Sequence, residues 1–557
     1  MNTTTSPGAT LDSVDGALMM RHLTHIAQYV KLSGSQEEAQ SLAYIQQVLD
    51  GYGYATQVLE HDAFISLPGA ACVEANGRVL TAITHSMSRA SPPEGTTGRL
   101  VYVGEGGDED FARQDVSGCI VLADGIVTPA VAQRASRSGA AGQLHISPHE
   151  HLHEMCVSPI WGNPSDETAA NLPTTVACTV SQSDGGMLRG AVARGERPSV
   201  TLHAKVETTW RRTPLLVAEL PAIGSTEDAP FILFSGHHDT WHFGVMDNGT
   251  ANVTMMEVAR LCAGVRCTWR RGLRLCFWSG HSHGRYSGSA WYADAHWDEL
   301  ERRCAAHVNI DSVGAAGASI LTNAGTASEL AGLAAEVIAK QTGQMHAGKR
   351  MARAGDESFW GIGIPAMFMS FSEQAPGSVK LRHALGWWWH TPEDLLDKID
   401  PGNLVRDAQI YLEVVTRLLT DPVLPIDQTA QLASLQGELR QLGGIAAHGI
   451  VLNDLRDRIT ALEDALISAR TRIGAEQLNA AILRISRALV PLDYTRGDRF
   501  THDPALPQSA WPVLDPLRYL AAAKPGTDAV RYLAVSARQA RNRVAYALRQ
   551  ARAALAE

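Results

Sequence analysis

Four apolar, strand-like runs of the sequence, FILFSG, LRLCFWSG, AHVNI and IPAMFMSF, are each followed by residues that bind metals in proteins. These residues are His237 and Asp247 after the first run, His281 and His283 after the second, Asp311 after the third and His390 after the fourth. Because ligands of an open α/β sheet bind at the carboxyl ends of its strands, these side chains are expected to converge on one point. Imidazoles and carboxylates together suit a borderline cation such as zinc. The sequence therefore predicts a metal site at one edge of a sheet.

The order of elements along the chain predicts how that edge is built. Between residues 214 and 421, strand-like runs alternate with helical ones such as GTANVTMMEVARLC, which predicts a mostly parallel sheet with helices on both faces. Short β-rich pieces and Gly-rich turns fill residues 68–206, and helical spacing dominates residues 425–557. We therefore predict an α/β domain formed by residues 1–67 and 207–424, a β-rich insert at 68–206 and a helical domain at 425–557.

The composition excludes several classes of partner. The 557 residues carry a formal charge of -10 and no Lys/Arg run, so neither nucleic acid nor a membrane surface is an expected partner. No segment approaches the roughly 18 consecutive apolar residues of a membrane span, and the first residues lack the pattern of a secretory signal. Eight cysteines without a CxxC pair fit reduced thiols better than a disulfide framework. We expect a cytoplasmic protein that acts on a small-molecule or peptide-like substrate.

The segment around His237 carries a family resemblance. GHHDTWHFGVMDNGTANVTMMEVAR resembles the motif of the M28 metallopeptidases, the aminopeptidase and glutamate carboxypeptidase group that includes the transferrin receptor. NIDSVG, WHTPEDLLDKID and SGSQEEAQSLAYIQQVLDGYGY are similar to further segments of that family. GCIVLADG with SGAAG resembles a protease-associated insert, and the helical tail resembles the dimerisation domain of the carboxypeptidase branch. The resemblance implies a metallopeptidase-like α/β domain, a protease-associated domain at 68–206 and a homodimer formed through the residues after Pro425, whose apolar stripe needs a partner.

The resemblance also implies roles for the candidate ligands. His237, Asp247 and Asp311 would hold one divalent metal, and Asp247 would bridge to a second metal held by His390. Asp239 would orient a ligand histidine through its other ring nitrogen. The cofactor would be one or two divalent ions, with zinc expected first and manganese or iron as alternatives. Asp239 and Asp247 are also acceptable turn or N-cap residues, since a helix follows them.

The chain departs from the family where the family has two adjacent glutamates, a general base and a metal ligand. Aligned from the shared Gly288-Ser289, Ser282 stands at the base position and His283 at the ligand position. A histidine can replace a glutamate as a ligand, but a serine hydroxyl does not take up a proton near neutral pH. Trp389 stands where the family often has a tyrosine. The family's machinery for peptide hydrolysis is therefore incomplete here.

Several residues are candidates for the missing base. His281 is adjacent to the serine, and His242 lies in the loop between two predicted ligands. Asp356 and Glu357 belong to ARAGDESFWGIGIPA, which resembles a segment that lines the family's pocket. We select His281 and Glu357 as catalytic candidates together with Asp239. For His281 a structural role is an equal alternative, and for Glu357 the alternative is a solvated loop carboxylate.

Two further clusters each allow two interpretations. The alternating histidines of HISPHEHLHEM fit either a second metal site or an exposed polar loop of the insert that reaches over the pocket. The tryptophans at 387–389, beside a predicted ligand, fit either a wall of the substrate pocket or buried packing. The histidines of the first cluster are His145, His149, His151 and His153.

The residues together predict a metal-dependent hydrolase of an amide or other C–N bond, in which the metal activates water and polarises the carbonyl. Two alternatives stay open. The missing Glu and Tyr favour a non-catalytic dimeric binding or scaffold protein, and the altered ligand set is consistent with a metalloenzyme of other chemistry. A scaffold does not need metal ligands, so the retention of His237, Asp247, Asp311 and His390 favours catalysis.

Overall fold

The computed structural model describes residues 13–368, 370–376, 384–524 and 526–556. Most of the opening segment, to which the expectation about a secretory signal refers, lies outside these residues. The described strands are β1 Ala55–Ala75, β2 Arg78–Thr84, β3 Thr96–Tyr102, β4 Ile120–Asp124, β5 Gly142–Ile146, β6 Val176–Val180, β7 Ser199–Leu220, β8 Phe231–His237, β9 Gly272–Trp278, β10 Cys304–Asn309 and β11 Ala366–Met367. The described helices are α1 Gly16–Ile26, α2 Gln36–Gly51, α3 Asp108–Ala112, α4 Pro129–Arg137, α5 Gln182–Ala193, α6 Ala251–Gly264, α7 Ser287–Ala295, α8 Trp297–Arg303, α9 Ala331–Thr342, α10 Pro401–Thr420, α11 Gln428–Gln441, α12 Asn453–Arg472, α13 Ala475–Tyr494, α14 Asp515–Ala522 and α15 Asp528–Ala553.

Parallel strands form the centre of the α/β domain. β8 pairs in parallel with β9 on one side and with β10 on the other, and β10 pairs in parallel with β11. Every residue of β8, β9 and β10 is buried, as expected for strands covered on both faces. The predicted α/β sheet is confirmed, although β7 pairs antiparallel with β9, so the sheet is mixed. The carboxyl ends of β8, β9 and β10 bring the predicted ligands His237, His283 and Asp311 to one edge.

Two long strands connect this sheet to the insert. β1 and β7 pair antiparallel from Ala55↔Glu219 to Ala75↔Val200, and the register shifts between Pro68 and Ala71. The predicted insert boundary therefore falls at an irregularity within a continuous ladder. Strands β2 to β6 have a hydrophobic core of their own, which includes Leu122 and Leu144. That this insert is a protease-associated domain stays a prediction.

All described elements after Pro425 are helices. The apolar stripe on α12, which was predicted to need a partner, is buried inside the chain's own helical bundle. Its residues Leu455, Ile459 and Leu462 have no exposed surface. The stripe therefore gives no argument for a dimer, because α11 and α15 pack against α12. No helix among the described residues combines the length and apolar character needed to cross a lipid bilayer.

Candidate metal centre

His237 is the last residue of β8, and its ring is fixed by the turn that follows. Its Nδ1–H donates to the main-chain carbonyl of Asp239 at 2.8 Å. Since a carbonyl only accepts, Nδ1 carries the proton and Nε2 presents a lone pair. Nε2 lies 3.0 Å from Asp247 Oδ1 and 3.6 Å from Asp311 Oδ2. One imidazole lone pair and two carboxylates thus meet in a buried place.

Asp247 lies between two histidines, as the bridging role requires. Its Oδ2 is 2.9 Å from His390 Nε2, while its Oδ1 faces His237. The main chain at Asp247 is held by Asp394, whose carboxylate accepts the amide N–H groups of Met246 at 2.9 Å and Asp247 at 3.0 Å. Burial raises the pKa of Asp394 to about 7. His390 Nδ1–H donates to the carbonyl of Glu154 at 2.7 Å, which leaves His390 Nε2 free to bind a cation.

His283 is oriented by a chain of two hydrogen bonds. Ser33 Oγ–H donates to Asp239 Oδ2 at 2.6 Å, so Ser33 Oγ must accept from His283 Nδ1–H at 3.0 Å. Among the described residues, His283 Nε2 is buried and has no hydrogen-bond partner. The predicted orienting role of Asp239 is therefore divided: its carbonyl serves His237, and its carboxylate serves His283 through Ser33. The Asp239 carboxylate also accepts the Ser282 amide N–H at 2.9 Å.

His281 forms a dyad with Asp356. Its Nδ1 lies 3.0 Å from Asp356 Oδ2, and the other carboxylate oxygen accepts Ser289 Oγ–H at 2.9 Å. The His281 ring stacks on the His237 ring with centroids 3.7 Å apart. Within the described parts of the chain, His237, His281 and Asp311 are the one set of three metal-binding side chains whose ligand atoms all lie within 4.8 Å of one another. His281 is thus placed either to bind the ion or to accept a proton beside it.

The chemistry of these groups fits a divalent cation. Burial by itself lowers the pKa of His237, but the carboxylates of Asp311 and Asp247 outweigh it and raise that pKa well above its usual value. The place therefore demands positive charge, which a proton on His237 Nε2 supplies when no ion is bound and which a cation on the Nε2 lone pair would supply in its place. His237, His283 and His390 each give Nδ1–H to a protein oxygen and keep the Nε2 lone pair, the arrangement that metal-binding histidines require. The residues present could hold one or two ions.

A cavity of about 540 Å³ opens above the centre. Asp247, Asp311 and His390 line it, together with His281 and Ser282. Trp389 also lines the cavity and stacks on His390, with ring centroids 3.6 Å apart, and both Trp388 and Trp389 pack in the core. The tryptophan run therefore serves as both pocket wall and packing.

Two candidate bases do not reach the cavity. Glu357 is buried beside His307, with 3.6 Å between Oε2 and Nδ1, and lines a separate cavity of about 20 Å³. Its position outside the cavity above the metal centre corrects its assignment as a catalytic residue. Its burial corrects the alternative of a solvated loop carboxylate. His242 lies 3.6 Å from the carboxylate of Glu154 instead of facing the cavity. The histidine-rich segment of the insert is also not the exposed loop proposed as one alternative, because His149 and His153 are buried.

Sequence reasoning missed Ser33, Asp394 and Glu154. Ser33 precedes α2, and its neighbour Ser35 caps that helix by accepting the Glu38 amide N–H at 3.1 Å. A serine beside a helix start indicates a cap, and nothing in its spacing indicates a contact with His283. The Glu154 carbonyl is a main-chain group that no motif reveals. Asp394 lies four residues after His390 in WHTPEDLLDKID, so its position in that motif was the one available signal.

This chain resembles known proteins in both sequence and fold. The sequence profile of peptidase family M28 matches residues 216–415. A probable glutamate carboxypeptidase of Zea mays is 24% identical over 43% of this chain and 36% of its own length, and one of Arabidopsis thaliana (AMP1) is 21% identical over 80% of this chain and 73% of its own. The fold resembles that of BSAP, a zinc aminopeptidase from Bacillus subtilis, with a TM-score of 0.56 and 19% identity over 73% of this chain and 96% of that one. The matched segment spans β8, β9 and β10 and contains every predicted metal ligand, so residues 216–415 of this chain resemble peptidase family M28.

Proposed function

We propose that this protein is a metal-dependent hydrolase of an amide or related C–N bond. The observation that carries the proposal is Asp247, whose two oxygens lie 3.0 Å from His237 Nε2 and 2.9 Å from His390 Nε2. A scaffold has no use for this buried carboxylate between two imidazole lone pairs. Zinc suits the nitrogen-rich set best, and manganese and iron are the alternatives.

A divalent ion held by these residues would supply Lewis-acid polarisation of the scissile carbonyl. The base that Ser282 cannot provide is assigned to His281. Because Asp356 accepts the Nδ1–H, His281 Nε2 carries the lone pair and can take a proton from the attacking water. The same nitrogen then returns the proton to the leaving amine. Asp356 holds the ring in this tautomer and stabilises the imidazolium.

The cavity favours a substrate that carries a carboxylate. Arg285, Lys349 and Arg353 line it, and the Arg353 guanidinium donates to the main-chain carbonyls of Pro504 at 2.8 Å and Asp503 at 3.0 Å, leaving its charge without a carboxylate partner in those bonds. A volume near 540 Å³ admits a molecule of dipeptide size. N-acyl amino acids and short peptides with a free terminal carboxylate are therefore the proposed substrate class, in agreement with the names of the plant relatives.

The second candidate is a non-catalytic binding protein. Ser282 supports it, because its Oγ is buried without a hydrogen-bond partner among the described residues and cannot act as a base. The two proposals are separated by metal analysis of protein purified without chelator or affinity-tag metal, followed by turnover of dipeptides, N-acyl amino acids and non-peptide amides. Hydrolysis that requires the bound ion supports the enzyme. Bound metal with no turnover of any amide supports the binding protein.

We also propose a cytoplasmic location and a homodimer for this protein. The eight cysteines are all free thiols, which supports a reducing compartment such as the cytoplasm. A homodimer would have to cover the large apolar side chains that stay exposed on α15, which are Tyr532, Val535 and Tyr546. Equilibrium sedimentation at tens of micromolar tests it, and a monomer at that concentration contradicts it.

A further inference from the structure

The histidine-rich segment of the insert lies against the segment that carries the metal ligand His390. His151 stacks on Trp387 with ring centroids 4.1 Å apart. Two residues further along each segment, His153 forms a hydrogen bond with the main-chain carbonyl of Trp389. The two segments are more than 230 residues apart in the sequence. Through this contact the insert reaches the segment that carries a ligand of the proposed metal centre.

His390 is held at both its main chain and its side chain by one residue of the insert. Glu154 N–H donates to the His390 carbonyl at 3.0 Å, and His390 Nδ1–H donates to the Glu154 carbonyl at 2.7 Å. The backbone of His390 has φ of +58°, a left-handed conformation that costs energy for a residue with a side chain. External contacts must therefore maintain it.

His153 extends this contact by one residue. Its Nδ1–H donates to the Trp389 carbonyl at 2.5 Å, so its Nε2 must accept, and the partner is His149 Nε2–H at 2.8 Å. His149 Nδ1 in turn accepts the His151 amide N–H at 3.0 Å. One arrangement of protons satisfies all these bonds, and it uses both ring nitrogens of His149 and His153. The nitrogens that a second metal site would need are therefore occupied.

We propose that His153 is a positioning residue of the metal centre. It holds the Trp389 carbonyl, and with the main chain of Glu154 it fixes the strained His390 so that Nε2 points to Asp247. The insert thereby holds in place a metal ligand that belongs to the α/β domain. The inference rests on the proposed metal centre, and it assigns a role to this chain's own residues toward the ion. Loss of such an orienting partner typically weakens metal binding by roughly 10- to 100-fold.

Two substitutions separate hydrogen bonding from packing. His153→Phe keeps a ring of similar shape and removes the donor, whereas His153→Asn places an amide N–H near the Nδ1 position and loses the ring. The matched control is His145→Phe, a buried histidine of the same insert whose Nε2 bonds to Gln143 Oε1 at 2.9 Å within the insert. Zinc affinity is measured by competition with a chromogenic chelator, with the urea midpoint of the metal-free protein recorded for each variant.

We expect zinc affinity to fall about 10- to 100-fold in His153→Phe, and to stay within about threefold of the parent in His153→Asn and His145→Phe. Equal affinity in His153→Phe and the parent overturns the inference, as does a loss in His153→Asn equal to that in His153→Phe. A parent that binds no zinc overturns the metal centre itself and the inference with it. Metal bound normally by parent and variants alike overturns the positioning role alone.

A second measurement needs only the parent and stands if His153→Phe does not fold. Because coupling between sites is reciprocal, zinc that fixes His390 must also stabilise the bond from the Glu154 amide. Hydrogen exchange of the peptide covering residues 149–156 should slow about tenfold or more on zinc addition, at the low end of the 10- to 100-fold effect, while strand β5 changes little. Equal exchange of residues 149–156 with and without zinc overturns the inference.

Discussion

Two groups of histidines in this molecule differ in what they do with their ring nitrogens. The histidines of the metal centre, His237, His281, His283 and His390, each give Nδ1–H to a protein oxygen and leave Nε2 for a cation or a reacting group. The insert histidines His149 and His153 use both nitrogens in hydrogen bonds to protein groups. A dense cluster of imidazoles therefore does not make a metal site by itself. The direction of the unused lone pairs and the presence of carboxylates decide it.

The largest expected effect on the metal-centre histidines comes from removing the bridging carboxylate. Asp247→Ala removes the group that faces both His237 and His390, so bound metal and hydrolysis should fall by more than the roughly 10- to 100-fold that an orienting partner contributes. Metal analysis of dialysed protein measures it. Glu357→Gln, which alters a buried carboxylate outside the cavity, is the control and should keep its metal. Full metal content in a His237→Ala/Asp247→Ala double variant would contradict the assignment.

A substitution at Asp356 tests whether His281 binds the ion or transfers a proton. Asp356→Asn removes the negative charge beside His281 Nδ1 and should lower kcat by about 100-fold, within the range of general acid–base catalysis, with metal content unchanged. Steady-state kinetics with metal analysis of the same sample measure both. If the metal is lost together with activity, His281 is a ligand and the base is another group.

A third histidine of the insert, His145, should make the stability of the protein depend on pH. Burial lowers the pKa of His145 to about 4, whereas in the unfolded chain it stays near 6.5. Between these values the unfolded state binds the extra proton, so stability falls as the pH is lowered from 7 to 5, by about 2 kcal/mol for this one group. His145→Gln keeps a donor toward Gln143 and does not titrate. Between pH 7 and pH 5, the free energy of unfolding in urea should fall by about 2 kcal/mol less in this variant than in the parent. The same pH dependence in both proteins would contradict the claim that burial lowers the pKa of His145.

The smallest effect is expected from restoring the family's carboxylates. Ser282→Glu with His283→Glu places two negative charges beside Asp239, where Ser33 now relays a hydrogen bond from His283. Added negative charge lowers the Lewis acidity of a bound ion, so activity on the amide panel should not rise, and we expect it to fall by about tenfold. Zinc, manganese and iron forms of both proteins are compared. Strong dipeptidase activity in the double variant beside an inert parent would favour the binding-protein alternative.

The sequence by itself determined which residues stand at the edge of the sheet. His237 ends one buried apolar strand, and Asp311 and the segment containing His283 lie shortly after the ends of two others. That position depends only on local pattern and on the parallel order of β8, β9 and β10. The α/β alternation and the helical character after Pro425 were readable for the same reason, because periodicity is a property of neighbouring residues.

Only the tertiary structure decided the direction in which each of these groups points. Ser33 reaches His283 across 250 residues, Glu154 reaches His390 across 236, and Asp356 reaches His281 across 75. Such contacts arise when elements pack, and nothing in local spacing encodes them. The same packing turned Glu357 away from the cavity and buried the stripe of α12 within its own chain. Residue types limit the possible chemistry, and long-range packing fixes which nitrogen or oxygen is free to perform it.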